Sequence, residues 1–383
     1  MTRASQPIAR RRFLQLAGAG SAAAGLLPLS GVAAAASTRS GQQASTLTVT
    51  SVRPDEALNE QWRHYGDTSG LGGWAGSDGT YSTALPGGRV AWMFNDTFLG
   101  PANADESLPA DAAFIHNSIV VDDRGRRSTV IGGTPQHPES LVGPTPNPPT
   151  PYLPDADSYW YWNNDGIVDG GKLRLFEAKI LLTDATPPWN FAWSGEMDIA
   201  SFSLPSLRLE SLTRTYSDDG INWGDQLLRV GGWVYIYGNL DGLRVARARA
   251  GHLVERDWQF YTGSGWSDDP TASAVILDGI GTCGVTPVLG QFVVTETPGL
   301  LDPTIYVSVG PTPVGPFSAP QAVYVPPEAA NGLYTYNVAA HPEASRSPDR
   351  LVISYNVNSL VLQDLYDNIN NNRPRFLELE FQA

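Results

Sequence analysis

The sequence has one cysteine, Cys283, so no disulfide can form within the chain and the fold must rest on its core. A lone cysteine of this kind reads as a small buried apolar residue. Lysine is almost missing. Lys172 and Lys179 are the only two, so 23 of the 25 basic residues are arginines. Acidic residues outnumber basic ones 39 to 25, which argues against nucleic acid as a partner. The histidines His64, His116, His137, His252 and His341 are scattered, without the paired spacing of a zinc site. There is no EF-hand loop, no Gly-x-Ser-x-Gly elbow and no phosphate loop. No cofactor is therefore expected; a calcium ion held by carboxylates and carbonyls is the one metal left open. The apolar run Leu16 to Leu29 has about 14 residues where roughly 20 are needed to span a bilayer, and Gly18, Gly20, Gly25 and Pro28 interrupt it.

That run belongs to a targeting pattern. A basic start ends in Arg10-Arg11-Arg12-Phe13-Leu14, and the apolar stretch closes on Ala34-Ala35-Ala36. Paired arginines before Phe-Leu resemble the twin-arginine signal, which implies export of an already folded chain. Residues 1–36 are read as the signal peptide, with cleavage after Ala36, 37–45 as a polar linker and 46–383 as one domain. The signal takes four arginines and no acid, leaving 21 basic against 39 acidic residues, a balance of −18. The expectation is a secreted or cell-envelope monomer, free of the membrane once cleaved.

Helical periodicity is almost absent after the linker. Short β-branched and aromatic runs alternate with Gly, Pro, Asn and Asp turns, which is the pattern of a sandwich, barrel or propeller. Leu85-Pro86-Gly87-Gly88-Arg89-Val90, Val168-Asp169-Gly170-Gly171-Lys172 and Val230-Gly231-Gly232-Trp233 read as hairpins. The proline-dense stretch Pro135–Pro154 reads as a surface loop with no strand of its own. Five times a strand, a tight turn and a second strand ending in polar residues recur: Arg89–Asp96, Gly171–Lys179, Gly232–Asn239, Gly290–Glu296 and Asp349–Asn356. This rhythm predicts an all-β, five-bladed β-propeller, with Leu47–Val52 pairing Arg375–Phe381 to close the ring. A β-sandwich or two jelly rolls is the alternative. Ser217-Asp218-Asp219-Gly220-Ile221-Asn222-Trp223 resembles the Asp-box of sialidases, a structural turn of propellers.

The densest chemistry lies in Gly73-Trp74-Ala75-Gly76-Ser77-Asp78-Gly79-Thr80-Tyr81-Ser82 and Val90-Ala91-Trp92-Met93-Phe94-Asn95-Asp96-Thr97-Phe98. Asp78 precedes the first strand of a hairpin and Asp96 follows the second, so both fall at one end of it. Two carboxyl groups in an aromatic cleft are what glycosidic hydrolysis needs: one protonates the leaving oxygen, the other activates water or attacks the sugar. Plain turn and cap roles are the alternatives for both residues.

The Ser-Asp-Gly-x-Tyr-Ser and Trp-x-Phe-Asn-Asp-Thr-Phe segments resemble five-bladed propeller families labelled as domains of unknown function, in which a Gly-Asp-Thr-Phe or Asn-Asp-Thr-Phe tag follows a hydrophobic strand. One branch of that group comprises endo-D-arabinanases. The resemblance implies that Asp78 and Asp96 are an acidic pair acting on an arabinofuranose-type polysaccharide.

Other candidates occupy equivalent edges. Glu177 interrupts an apolar strand, where a buried acid is costly unless paired or functional; it is the reserve acid, with a surface pair to Lys179 or Arg174 as the alternative. His116, Asn117, Asn239, Asp241, Tyr336 and Asn337 are candidate substrate contacts, as are Tyr81, Trp74 and Trp160, the two tryptophans by stacking. Glu296 and Tyr355-Asn356 hold analogous places. The leading expectation is a secreted glycoside hydrolase. The alternatives are a non-catalytic carbohydrate-binding propeller and a sialidase-like or lyase enzyme using Arg214, Arg244 and Arg247.

Overall fold

The computed structural model describes residues 47–143, 159–186, 190–217, 220–298 and 302–383. The expected signal peptide and the whole linker lie outside them, as do Pro144–Pro154 of the proline-dense stretch and Asp218 and Asp219 of the Asp-box-like turn.

Strands dominate the described residues, and five antiparallel sheets of four or five strands follow one another along the chain. The first comprises Tyr81–Leu85, Arg89–Phe94, Ser118–Asp123 and Arg126–Val130, and the second Tyr159–Asp169, Lys172–Leu182, Phe191–Phe202 and Leu209–Arg214. The third runs from Asn222–Val230 through Trp233–Asn239, Leu243–Arg249 and Gln259–Tyr261 to Trp266–Ser267. The fourth comprises Thr282–Val288, Gln291–Thr297, Ile305–Gly310 and Gln321–Tyr324. In the fifth, Tyr334–Ala340, Arg350–Asn358 and Arg375–Gln382 are completed by the early strand Thr48–Pro54, as the sequence predicts. The leading strand of each sheet touches that of the next, and the last touches the first. The three glycine-rich hairpins form where expected.

The core lies between neighbouring sheets, because strands this apolar must bury both faces. Phe176, Trp223, Ile236, Trp258 and Phe260 pack between the second and third sheets; Val293, Val307, Leu351, Ile353 and Leu379 fill the space between the fourth and fifth. Cys283 is buried in another such layer with Tyr237 and Val294.

Two expectations are corrected. Helix is not absent: Glu56–Thr68 forms 13 residues of α-helix, N-capped by Asp55, whose side chain accepts from Leu58 N at 3.1 Å. Trp62 anchors it, fully buried against Trp74, Trp92, Phe94 and Phe376. Its buried stripe is only Leu58, Trp62 and Tyr65, too thin to register as periodicity. The loop assigned to Pro135–Pro154 also carries a strand, His137–Glu139, paired with Gly132–Thr134.

Two short excursions shape one side of the ring. Trp74–Ser77, Thr97–Leu99 and Ala113–Ile115 make a three-stranded sheet. Against it pack Leu365 and Ile369, from the segment between the last two strands of the fifth sheet.

Candidate active site

Two ladders meet at the acid pair. Tyr81 pairs with Met93 in the first sheet, and Ser77 pairs with Thr97 in the small sheet. Asp78 and Asp96 occupy the two chain crossings between these ladders, tied by Asn95 N donating to Asp78 O at 2.9 Å. Gly79 makes the crossing possible: its φ is +61°, and a Cβ there would stand 2.3 Å from the Asn95 side chain.

Both carboxyl groups line one cavity of about 460 Å3. Asp96 Oδ1 accepts from Trp162 Nε1 and is bonded to His116 Nδ1, each at 2.9 Å. His116 in turn stacks on Trp160 at 4.5 Å and 14°. Asp78 Oδ2 accepts from the Tyr336 hydroxyl, which itself accepts from Asn358 Nδ2 at 3.0 Å. Burial, and then the charge of Asp96, push Asp78 up to about 8; the Tyr336 bond acts in the opposite sense. At neutral pH the Asp78 carboxyl group therefore holds a proton. Trp160, Trp162, Phe191 and Trp193 form an aromatic wall, Phe98 and Phe114 another, and among the described residues no arginine or lysine lines the cavity.

Residues 55–381 match the model of a protein family described as DUF5005, a domain of unknown function. The chain belongs to that family. No curated protein matches it. Among solved structures it resembles a candidate hydrolase from Bacteroides ovatus, with a TM-score of 0.65 and 22% identity over 86% of this chain and 90% of that one; the two share a fold. Weaker likenesses are to the GH43_1 enzyme from Xanthomonas citri complexed with xylose (TM-score 0.45, 12% identity, 85% and 93% covered). A third is an exo-β-1,3-galactanase from Phanerochaete chrysosporium with β-1,3-galactotriose (0.47, 9%, 82% and 61%).

Within this DUF5005 domain, Tyr81, His116, Trp160, Tyr336 and Asn337 line the same cavity as the acid pair. Asn337 sits at the bulge between Tyr336 and Ala339 with φ +52°, a left-handed conformation that asparagine tolerates. Other candidates are placed elsewhere. Trp74 is fully buried and donates Nε1 to Ser77 Oγ at 2.6 Å, so it has no face for a sugar. Asp241 is exposed at a turn with φ +53° and does not reach the cavity. Glu177 is fully buried between Asn163 and Asp198 on the flanking strands, behind the wall rather than in it. Burial and Asp198 raise it, and neither of its oxygens has a hydrogen-bond partner among the described residues. It makes no surface pair either: Lys179 bonds to Glu196 at 3.0 Å, and Arg174 to Ser201. The three arginines of the sialidase-like alternative do not converge. Arg214 pairs with Glu196 and Asp198, Arg244 donates to the Leu240 and Ser273 carbonyls, and Arg247 lies between Trp233 and Trp266.

The amides have a different task. Asn239 Nδ2 donates to Ile280 O at 2.7 Å and Gly281 O at 2.6 Å, across to the fourth sheet. Asn95 exchanges bonds with the Asn163 backbone of the second sheet, and Asn356 Nδ2 reaches Thr80 Oγ1 of the first at 2.9 Å. Asn117 is likewise spent on Val142 and Tyr161 backbone groups. The polar strand ends are thus fasteners between sheets. Asn239→Ala, which strips two buried carbonyls of their donor, is expected to cost roughly 2–4 kcal/mol in urea unfolding.

Sequence reasoning missed Asp225, Asn222, Asn164 and Asn358, all of which line the cavity. An acid early in the strand Asn222–Val230 is the same cue that singled out Glu177.

Proposed function

We propose that this chain is a glycoside hydrolase built as a five-bladed propeller, exported by the twin-arginine route, that cleaves an arabinofuranose-type polysaccharide outside the cytoplasm. Supporting the five blades are the five large sheets and the cyclic contacts of their leading strands. The observation that carries the activity is the pairing of Asp78 and Asp96 on one aromatic-walled cavity, with Asp78 pushed up to about 8. Asp78 is the proton donor to the leaving oxygen. Asp96, held by Trp162 and His116, is the base or nucleophile. The aromatic wall offers apolar faces to sugar rings.

The test is turnover by the mature protein across arabinan, arabinogalactan, xylan, galactan, sialylated and uronic glycans. Release of reducing ends from an arabinofuranosyl polymer alone is the expected result; cleavage of none of them sinks the hydrolase reading. The pH profile is a further check. An acid raised to about 8 is protonated below that pH and loses its proton above it, so kcat/KM is expected to hold through neutrality and fall as pH rises past about 8. A profile already falling between pH ~5 and ~7 would reassign the proton donor.

A further inference from the structure

The cavity floor carries a third carboxyl group that the acid pair does not use. Asp225, on the leading strand of the third sheet, is 4% exposed. It ends a chain of side chains that crosses from the second sheet. Asn164 Nδ2 donates to Asn222 Oδ1 at 3.1 Å, and Asn222 Nδ2 donates to Asp225 Oδ1 at 3.3 Å. All three residues line the cavity. Asp225 Oδ2 is buried and has no hydrogen-bond partner among the described residues.

Asp165 shows what a structural acid looks like in this ring. It too is buried in a leading strand, but Gly166 N at 2.8 Å, Leu227 N at 2.7 Å and Gln226 Nε2 at 2.5 Å all donate to it, and it does not line the cavity. Asp225 has one weak donor, and its second oxygen is left without a partner among the described residues. An unpaired buried carboxyl costs stability, and such groups persist where function requires them. Burial pushes Asp225 up to about 8, so at neutral pH it is a carboxylic acid that both donates and accepts. Asp225 lines the same cavity as Asp78 and Asp96.

We propose that Asp225, held by Asn222 and Asn164, is a specificity-determining residue that hydrogen-bonds a hydroxyl group of a neutral sugar unit. The inference rests on the reading of the cavity as a sugar site and narrows it. Among the described residues the lining has no arginine or lysine and three carboxyl groups, so a uronic or sialic acid would meet no arginine or lysine there. Asp225 acts on binding and not on the proton transfer.

The test is binding of arabinose, xylose, galactose, galacturonate and sialic acid to the mature protein, followed by tryptophan fluorescence, together with KM and kcat on any glycan it cleaves. Asp225→Leu is expected to weaken neutral-sugar binding, and raise KM, at least about tenfold, with kcat changed far less and Tm unchanged or higher. Asp225→Asn, which keeps a donor and an acceptor in place, should restore most of that loss. If Asp225→Leu does not fold, Asn222→Ala reads the same subsite and should also weaken binding. The proposal is overturned by unchanged affinity in Asp225→Leu, by loss of kcat at constant KM, by acidic sugars binding as well as neutral ones, or by a wild type that binds none of the panel. A wild type that binds neutral sugars through Asp225 but cleaves nothing upholds this inference and rejects the hydrolase reading.

Discussion

Asp96→Asn is expected to lower kcat/KM by a factor of about 10^2–10^4 while the fold survives. The amide keeps the size of the carboxyl, and its oxygen can still accept from Trp162 Nε1, so the aromatic wall stays in place. What disappears is the charge. With it goes the group able to activate water or attack the sugar, and also the second cause of the raised Asp78. Asp78 in the variant should therefore titrate at lower pH, which carbon-detected NMR of labelled aspartate can follow. Two outcomes would be damaging. If hydrolysis persists within a few-fold of wild type, Asp96 is not the base or nucleophile. If Asp78 titrates unchanged, the two carboxyl groups are not electrically linked and the argument for divided roles fails. The matching Asp78→Asn variant should lose most activity on substrates with poor leaving groups and less on activated aryl glycosides, which need no proton.

Trp62→Ala is expected to cost about 3–5 kcal/mol in equilibrium denaturation, the range for deleting a large aromatic side chain from a core. The indole is 1% exposed and makes edge contacts at 5.1 Å to Trp74, 5.3 Å to Trp92 and 5.3 Å to Phe94. Arg127 covers its ring at 4.7 Å. The helix that carries it is further fixed by Asn59, which exchanges hydrogen bonds with the Phe376 backbone at 3.1 and 2.8 Å. Removing the indole therefore uncouples the helix from the first and fifth sheets at once. A loss below about 1 kcal/mol would mean the helix is a passenger on a fold that stands without it.

Much of this architecture is legible in the chain because the physics is local. The three glycine-rich hairpins, and the pairing of the early strand with Arg375–Gln382, fall where the apolar runs and glycine turns put them. Convergence of Asp78 and Asp96 on one cavity follows from hairpin geometry alone. What was hidden depends on partners far away in sequence. Glu56–Thr68 needs Phe94 and Phe376 to give its three apolar residues something to cover. The asparagines at strand ends look like site residues because their position is right. Whether such an amide faces the cavity or the next sheet is decided by a neighbour about 40 to 280 residues away. Asp225 escaped notice for the converse reason: a strand acid reads as costly, but only the folded wall shows that its second oxygen has no partner among the described residues.

The pairing of Thr48–Pro54 with Arg375–Gln382 has a consequence for folding. The earliest described strand finds its neighbour as much as 334 residues further along the chain, so completing the fifth sheet means closing a very long loop. A variant without Arg375–Gln382 would retain the strands of four sheets and lose the clasp of the fifth. Detaching either strand would therefore open the set of sheets at a single seam.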